Sequence, residues 1–238
     1  MGHLKHSKEG LEKYTTLIKG VVLNTLEYNT RLQGDQYKVF IDGIIKKYEI
    51  ESIVETGAYD GMGSSQLLAS NGLPFDTIEC HGMNFIAAKV NLENFKNAIV
   101  HHAYSLKLDE MLEFIKKDEW TNNPTEMVNL GVKFDHDNPR WYYTHELNDV
   151  VSKPKKENLL MDLITNSERQ LVFLDSSGGV GLLEFQKVME LPKEILKEKL
   201  IMLDDINHIK HYRSLQWMKE NCNVKYSEDG RLAVSFIV

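Results

Sequence analysis

Short apolar runs alternate with amphipathic stretches over most of the chain after residue 50. Five of these runs have the length and composition of strands: SIVETG (52–57), FDTIEC (75–80), AIVHHAYS (98–105), QLVFLDSS (170–177) and KLIMLDDI (199–206). The stretches after them predict helices, the last from about 208 to 220. Strands that alternate with helices favour βαβ units in a parallel sheet. The fourth and fifth runs are almost entirely apolar before their acids, as expected when helices cover both faces.

The two ends of the chain depart from this alternation. Apolar spacing predicts helices over 7–32 and 35–48, so we expect an N-terminal helical cap over residues 1–49. This cap either covers a pocket or forms a homodimer contact. At the other end, NVKYSEDGRLAVSFIV contains two strand-like runs around an Asp-Gly turn, which is a hairpin signal. The sheet is therefore predicted to finish antiparallel, within one α/β domain over residues 50–238.

An insertion at about 119–160 does not follow the alternation. It is polar and rich in turn residues, and a connection of this length inside a compact domain is usually functional or disordered. Trp141, Tyr142 and Tyr143 argue against disorder. We therefore expect an inserted lid.

Composition narrows the function classes. The chain has 28 Lys and Arg against 35 Asp and Glu, a formal net charge of −7, which argues against a nucleic-acid partner. No run reaches the roughly 18 apolar residues of a membrane span, and the N-terminus lacks the apolar stretch of a signal peptide. Cys80 and Cys222 have no CxxC spacing, so we expect free thiols. These features predict a cytoplasmic protein with no membrane partner.

A glycine-rich turn, VETGAYDGMGSS, follows the first predicted strand. Its glycines, Gly57, Gly61 and Gly63, would let a ligand approach bare backbone beside the free N–H groups of a helix start. In doubly wound sheets, ligands bind at this end of the strands. Glu55 and Glu79 end the first two strands, where a carboxylate can accept hydrogen bonds from ligand hydroxyls. The glycine spacing differs from the dinucleotide fingerprint G-x-G-x-x-G.

These features together resemble the class I S-adenosylmethionine-dependent methyltransferases, in the branch of the catechol and macrolide-sugar O-methyltransferases. The resemblance lies in ETGAYDG after the first strand, the acid that ends FDTIEC, the segment HHAYS and the terminal hairpin. It covers about residues 50–118 and 168–238. It implies an α/β fold with a Rossmann-like, seven-stranded, mostly parallel sheet, and S-adenosylmethionine as cofactor.

The resemblance also implies which residues bind the cofactor. Glu55 and the backbone of residues 57–64 would surround the methionine part, Glu79 would bind the ribose hydroxyls, and Ser105 would lie at the adenine. The full set of predicted cofactor-binding residues is Glu55, Thr56, Gly57, Ala58, Tyr59, Gly61, Gly63, Ser64, Glu79, Cys80, Ser105, Asp175 and Ser176.

Three aspartates form a second candidate site. Asp175 ends the fourth strand, and Asp204 and Asp205 end the fifth, so adjacent parallel strands would bring them together. Converging carboxylates repel one another unless a cation neutralises them, and hard oxygen ligands suit Mg²⁺, Ca²⁺ or Mn²⁺. The resemblance implies a metal, most simply Mg²⁺, at this position. Metal-free relatives also carry an aspartate after the fourth strand, so the metal-free alternative stays open.

A general base is harder to place. Catechol-type enzymes carry a lysine three residues after the first metal aspartate, and here that position is Gly178. His208 and His211, predicted one helical turn apart, titrate in the right range and are the candidate catalytic residues. A surface or capping role fits each of them equally well. His136, Asp137 and His145 in the insertion are weaker candidates, because they would reach the site only when a lid closes.

The predicted function is metal-assisted O-methylation of a small, polar, hydroxylated acceptor such as a sugar or glycan intermediate. N-methylation stays open. One alternative is an NAD-dependent oxidoreductase, which the glycine spacing and the terminal hairpin argue against. Another is a non-catalytic methyltransferase-like binding protein. The absent lysine leaves that possibility open, and the three aspartates argue against it.

Overall fold

The computed structural model describes residues 34–148, 153–164, 169–176 and 179–237 of the 238 residues. The helix predicted over 7–32 lies outside the described residues, as does Gly178. Within the described part, no helix combines the length and the apolar character that crossing a membrane requires.

Seven strands and eleven helices are assigned in the described residues. The strands are β1 Ser52–Thr56, β2 Phe75–Glu79, β3 Ala98–His102, β4 Gln170–Leu174, β5 Lys199–Leu203, β6 Lys225–Tyr226 and β7 Ala233–Phe236. The helices are α1 Asp35–Tyr48, α2 Ser64–Ala69, α3 Gly82–Asn91, α4 Leu108–Lys117, α5 Glu119–Asn122, α6 Pro124–Asn129, α7 Pro139–Asn148, α8 Leu159–Ile164, α9 Gly181–Met189, α10 Lys193–Leu196 and α11 Tyr212–Asn221.

The strands form one sheet in the order β3-β2-β1-β4-β5-β7-β6. The first five strands are parallel, and β7 runs antiparallel between β5 and β6. This confirms the predicted Rossmann-like sheet with its antiparallel terminal hairpin. Because β1 lies between β2 and β4, the carboxyl ends of β2, β1, β4 and β5 stand side by side at one edge. The glycine turn and the three aspartates all follow these strand ends.

Alternating residues of β4 and β5 pack into the two faces of the sheet, as the 2-residue period of a strand requires. Val172 and Leu174 belong to one apolar cluster, whereas Leu171 and Phe173 belong to the other. The second cluster also contains Tyr37, Ile41 and Ile44 of α1. Residues 35–48, predicted as part of a separate cap, therefore pack into the core of the sheet domain.

The described part of the insertion is folded as well. Met127 of α6 and Tyr143 and Leu147 of α7 are buried in one cluster with Met111 and Ile115 of α4.

Backbone hydrogen bonds join the insertion to the segment after β5. The Lys133 N–H donates to the Asn207 carbonyl at 2.9 Å, and the Ile209 N–H donates to the Lys133 carbonyl at 2.9 Å. The Arg213 guanidinium also contacts both carboxylate oxygens of Asp118, at 2.6 and 3.0 Å. The predicted lid is therefore, in its described residues, a packed layer over the carboxyl ends of the strands.

Candidate functional site

A cavity of about 460 Å³ opens at the carboxyl ends of β1, β2, β3 and β4, with α7 of the insertion as its outer wall. Seven of the predicted cofactor-binding residues line it, namely Gly57, Tyr59, Glu79, Cys80, Ser105, Asp175 and Ser176. The position agrees with the general rule that ligands of open α/β sheets bind outside the carboxyl ends of the strands.

Close packing explains the first two glycines of the turn. Gly57 has φ 82°, and a Cβ there would lie 2.5 Å from the Asp175 carbonyl oxygen. Gly61 has φ 77°, and a Cβ there would lie 2.9 Å from the Ala88 Cα of α3. Only glycine combines the left-handed backbone with this proximity. Gly57 therefore lets β1 and β4 meet at the cavity, and Gly61 lets α3 pack on the turn.

Glu79 presents an organised carboxylate to the cavity. Its two oxygens accept hydrogen bonds from the backbone N–H groups of Tyr59, at 2.8 Å, and His81, at 2.7 Å. Burial raises the pKa of Glu79 to about 7, and these N–H groups oppose that rise because they favour the ionised form. Each oxygen has a second lone pair, so Glu79 can still accept hydrogen bonds from a ligand.

Glu55 lies at the end of β1, next to the glycine turn. It is fully buried and is not among the described residues that line the cavity. One of its oxygens accepts hydrogen bonds from Ser65 at 2.5 Å and Thr77 at 2.6 Å, and burial raises its pKa to about 7. The other oxygen, Oε1, has no hydrogen-bond partner among the described residues, and the predicted contact of Glu55 with the ligand stays a prediction. Glu55 braces α2 against β2 behind the turn.

Thr56 also lies behind the cavity wall. Its hydroxyl donates to Glu184 at 2.8 Å, and the Ser176 hydroxyl donates to the other oxygen of Glu184 at 2.7 Å. Glu184 is fully buried in α9, and burial raises its pKa. Sequence reasoning missed Glu184. The signal was an acid inside the otherwise apolar start of that helix, GLLEF.

The other predicted turn residues support the loop. Ala58 is buried, Gly63 precedes the first residue of α2, and the Ser64 hydroxyl lies 3.4 Å from an Asp175 oxygen. None of these three is among the described residues that line the cavity.

Sequence reasoning also missed the apolar wall of the cavity. This wall is formed by Ile78, Ala103, Tyr104, Met111, Ile115, Tyr143, Leu147 and Val180. In the sequence, most of these residues stand at positions that are typical of an ordinary apolar core. Tyr143 was singled out only as an aromatic residue of the insertion, whose contact with the cavity depends on tertiary packing.

The three predicted aspartates do come together. Oxygens of Asp175, Asp204 and Asp205 lie within 4.8 Å of one another. Two cations of the protein lie among them. Lys210 Nζ is 2.5 Å from Asp175 and 3.2 Å from Asp205, and Arg231 makes two 2.7 Å hydrogen bonds to the two oxygens of Asp204.

Burial divides this cluster into an inner and an outer part. The side chains of Asp204 and Lys210 are 1% and 8% exposed, whereas that of Asp205 is 43% exposed. Burial alone would lower the pKa of Lys210, but the carboxylates of Asp175, Asp205 and Asp204 raise it above its usual value. Lys210 is therefore an ammonium ion at neutral pH. Asp205, in the outer part of the cluster, has a left-handed backbone conformation with φ 49°.

The cluster fits a divalent ion poorly. Both oxygens of Asp204 are engaged by Arg231, and the ammonium of Lys210 lies between Asp175 and Asp205. An ion bound by all three aspartates would have to displace Lys210 or lie next to it. The charge neutralisation that the sequence predicted is present, but it comes from side chains.

The two candidate catalytic histidines lie in a turn, because the predicted helix from about 208 begins at Tyr212. His211 is fully buried, and neither ring nitrogen has a hydrogen-bond partner among the described residues. Burial lowers its pKa well below the usual value. His211 is not among the described residues that line the cavity, and its role as a base stays a prediction.

His208 lies between the insertion and the segment after β5. Its Nε2 is 3.4 Å from Asp135, and its Nδ1 lies 3.4 Å from the Lys210 backbone N–H. The Tyr143 hydroxyl also donates to Asp135, at 3.1 Å. Nε2 has no hydrogen-bond partner among the described residues, and His208 is not among those that line the cavity, so its catalytic role stays a prediction.

The weaker candidates of the insertion are spread along it. His136 stacks on Tyr142 with a centroid distance of 5.7 Å, and Asp137 is exposed. His145 stacks on Trp141 at 4.9 Å and lines the cavity.

Comparison with known proteins gives structural matches without sequence matches. No protein-family model matches the chain, and no curated protein matches its sequence. A methyltransferase from Geobacter sulfurreducens is 7% identical, with a TM-score of 0.50 over 100% of this chain and 92% of that one. An SAH-bound methyltransferase from Podospora anserina is 8% identical, with a TM-score of 0.49 over 100% and 99% of the two chains. An O-methyltransferase from Bacillus cereus, in complex with SAH, is 12% identical, with a TM-score of 0.48 over 99% and 94%.

Identities this low bear on the fold alone, and of these three structures the Geobacter sulfurreducens methyltransferase is similar enough to bear on it. The strand order with an antiparallel β7 agrees with that likeness. The chain has the Rossmann-like fold of the class I methyltransferases.

Proposed function

We propose that the protein is an S-adenosylmethionine-dependent methyltransferase that methylates a hydroxyl group of a small polar acceptor. One observation carries the proposal. The carboxylate of Glu79, oriented by two backbone N–H groups, faces a cavity that the bare backbone of Gly57 also lines.

The lining residues suit the parts of S-adenosylmethionine. Glu79 would accept hydrogen bonds from the two ribose hydroxyls, which are donors that an ionised carboxylate pairs with strongly. The apolar wall, with Tyr104, Met111 and Ile115, would hold the flat adenine ring. When bound, the cofactor would supply a sulfonium methyl group: the acceptor oxygen would form the new O–C bond, the electron pair of the broken C–S bond would stay on the sulfur of S-adenosylhomocysteine, and the hydroxyl proton would pass to the Asp205 carboxylate or to water. The protein's part is to position the two reactants and exclude water.

The acceptor would bind on the outer side of the aspartate cluster. Asp175 lines the cavity, and Asp205 next to it is half-exposed, so the Asp205 carboxylate is placed to accept a hydrogen bond from an acceptor hydroxyl. Trp141 is 53% exposed and stacks on His145, which lines the cavity. A carboxylate with an exposed aromatic face suits a sugar or glycan intermediate, and we propose this acceptor class.

Magnesium assistance, which the sequence predicts, remains one version of this function. If an ion binds, Asp175, Asp204 and Asp205 would hold it, and it would lower the pKa of the acceptor hydroxyl. The contacts of Lys210 and Arg231 with the same carboxylates count against this version.

Calorimetric binding and thermal unfolding with S-adenosylhomocysteine and with NAD⁺ test the class. We expect S-adenosylhomocysteine to bind and to raise the melting temperature, since a ligand of the folded state stabilises it. Glu79→Ala should weaken binding about tenfold or more, because it removes charge-assisted hydrogen bonds. Glu93→Ala is the matched control at an exposed position. Binding of NAD⁺ alone would favour the oxidoreductase, and binding of neither ligand would overturn the proposal.

A further inference from the structure

We infer that Lys210 is the built-in cation of the aspartate cluster and that the protein works without a divalent metal. The catalytic part of this inference rests on the proposed function. The part that concerns ion binding depends only on the residues of the cluster.

Position is the first argument. Lys210 Nζ contacts Asp175 at the end of β4 and Asp205 at the end of β5, at 2.5 and 3.2 Å. It therefore joins two strand ends that carry like charges. A metal ion shared by the same two carboxylates would occupy the same space.

Charge is the second argument. When all three carboxylates are ionised they carry three negative charges, of which Lys210 and Arg231 offset two. Burial raises the pKa of Asp175, and the Lys210 ammonium opposes that rise by favouring the ionised form. Arg231 holds both oxygens of Asp204 and also lies 3.2 Å from Asp205. A divalent ion added to this arrangement would stand beside a buried ammonium, where repulsion is screened far less than at the surface. The net charge of the cluster is therefore small before any metal ion binds.

Rigidity is the third argument. The Lys210 side chain is 8% exposed, and its Cβ and carbonyl oxygen lie 3.0 Å from the position that a Cβ on Gly181 would take. The neighbouring Ile209 is fixed by its backbone hydrogen bond to Lys133 in the insertion. The ammonium is thus held in place before any ligand binds, as electrostatic preorganisation requires.

These contacts make Lys210 a positioning residue. It keeps Asp175, which lines the cavity, and Asp205, which faces outward, next to each other despite their like charges. In metal-dependent members of this fold, the ion would hold such carboxylates together. Here the sequence carries the cation itself, six residues after Asp204.

Manganese binding tests the inference without any acceptor. We would titrate Mn²⁺ into the cofactor-free protein and follow the free ion by electron paramagnetic resonance. The wild type and Lys210→Arg should show no stoichiometric site. Lys210→Met, which removes the charge at similar length, should bind Mn²⁺ at least about tenfold more tightly, and Lys197→Met at an exposed position should behave as the wild type.

Stoichiometric Mn²⁺ binding by the wild type, lost in Asp175→Asn, would overturn the inference. So would a Lys210→Met variant that folds but binds no more Mn²⁺ than the wild type. If Lys210→Met does not fold, the wild type and Lys210→Arg decide the matter alone.

S-adenosylhomocysteine affinity, measured with and without EDTA, separates this inference from the proposed function. Equal affinities together with no Mn²⁺ site support both. Absent S-adenosylhomocysteine binding with no Mn²⁺ site removes the proposed function but leaves Lys210 as the cation of the cluster. Binding that EDTA abolishes keeps the function and removes the inference.

Discussion

The cavity lined by Gly57 and Glu79 and the aspartate cluster lie at the same edge of the sheet but are built differently. The cavity depends on backbone: Gly57 lets two strands approach, and backbone N–H groups orient Glu79. The cluster depends on side chains, with three carboxylates held by Lys210 and Arg231. Backbone requirements leave a local signature in a sequence, since only certain residues satisfy them. Charge pairing among distant residues leaves none.

The largest effect should come from breaking the inner ion pair of the cluster. Arg231→Met removes the two hydrogen bonds that Arg231 donates to the Asp204 side chain, which is 1% exposed and keeps the 2.7 Å bond from the Asp205 N–H. Removing one partner of a buried pair costs about 3–5 kcal/mol, because a buried charge is left uncompensated. Urea unfolding measures this loss.

Two control variants test whether the loss of stability in Arg231→Met comes from an unpaired buried charge. The double variant Arg231→Met with Asp204→Asn should recover much of the stability, because no unpaired charge remains. Arg169→Met breaks an exposed pair with Glu49 and should cost less than about 1 kcal/mol. Equal losses for Arg231→Met and Arg169→Met would show that the cluster is not a buried charge network.

In the cavity, Gly57→Ala is the destabilising substitution that corresponds to Arg231→Met in the cluster. The new Cβ would meet the Asp175 backbone at 2.5 Å, and backbone atoms cannot move aside cheaply. We expect a loss of about 2–4 kcal/mol in unfolding free energy and loss of S-adenosylhomocysteine binding. Gly72→Ala is the matched control, since Gly72 has φ 77° but nothing within 4 Å of its would-be Cβ. It should cost about 1–2 kcal/mol from the left-handed backbone alone, and a similar cost at both positions would contradict the close approach.

The pH dependence of ligand binding sharpens the role of Glu79. Burial raises its pKa to about 7, so the ionised fraction rises about tenfold at most between pH 6 and pH 8. S-adenosylhomocysteine affinity should rise by up to that factor over this range, because ribose hydroxyls need an ionised acceptor. Glu79→Gln should bind weakly with no such slope, whereas Glu55→Gln should keep it. A slope that survives in Glu79→Gln would assign the effect to another group.

The raised pKa of Glu79 also predicts that the free energy of unfolding falls as the pH rises, whereas ligand affinity rises. A carboxyl group whose pKa is higher in the folded state than its ordinary 4.5 favours folding while it is protonated. Its contribution is therefore fully present below pH 4.5 and is lost as the pH rises through about 7. Unfolding of the ligand-free protein at pH 5 and pH 8, compared between wild type and Glu79→Gln, measures this difference.

The sequence predicted the sheet because each strand had its own apolar run, and it predicted the cavity because Gly57 and Glu79 follow two of those runs directly. It predicted the meeting of Asp175 with Asp204 and Asp205 from strand adjacency alone. It could not predict Lys210, since burial of a lysine depends on the insertion and on α9 packing around it. The burial of Glu55 against Ser65 and Thr77 could not be predicted either, because the side-chain direction at a strand end depends on the register with its neighbours.

The smallest effect concerns the insertion, which connects the two regions. Its Tyr143 ring lines the cavity, while its hydroxyl donates to Asp135 near His208 and the cluster. Tyr143→Phe keeps the ring and removes two hydrogen bonds, the one to the Asp135 carboxylate at 3.1 Å and the long one from the Asp135 N–H at 3.4 Å. We expect a loss of about 1 kcal/mol in unfolding free energy. S-adenosylhomocysteine affinity should stay within about twofold, since the cavity wall is unchanged. A large loss of affinity in a stably folded Tyr143→Phe would mean that the hydroxyl acts on the ligand, and that the cavity and the cluster are coupled through Asp135.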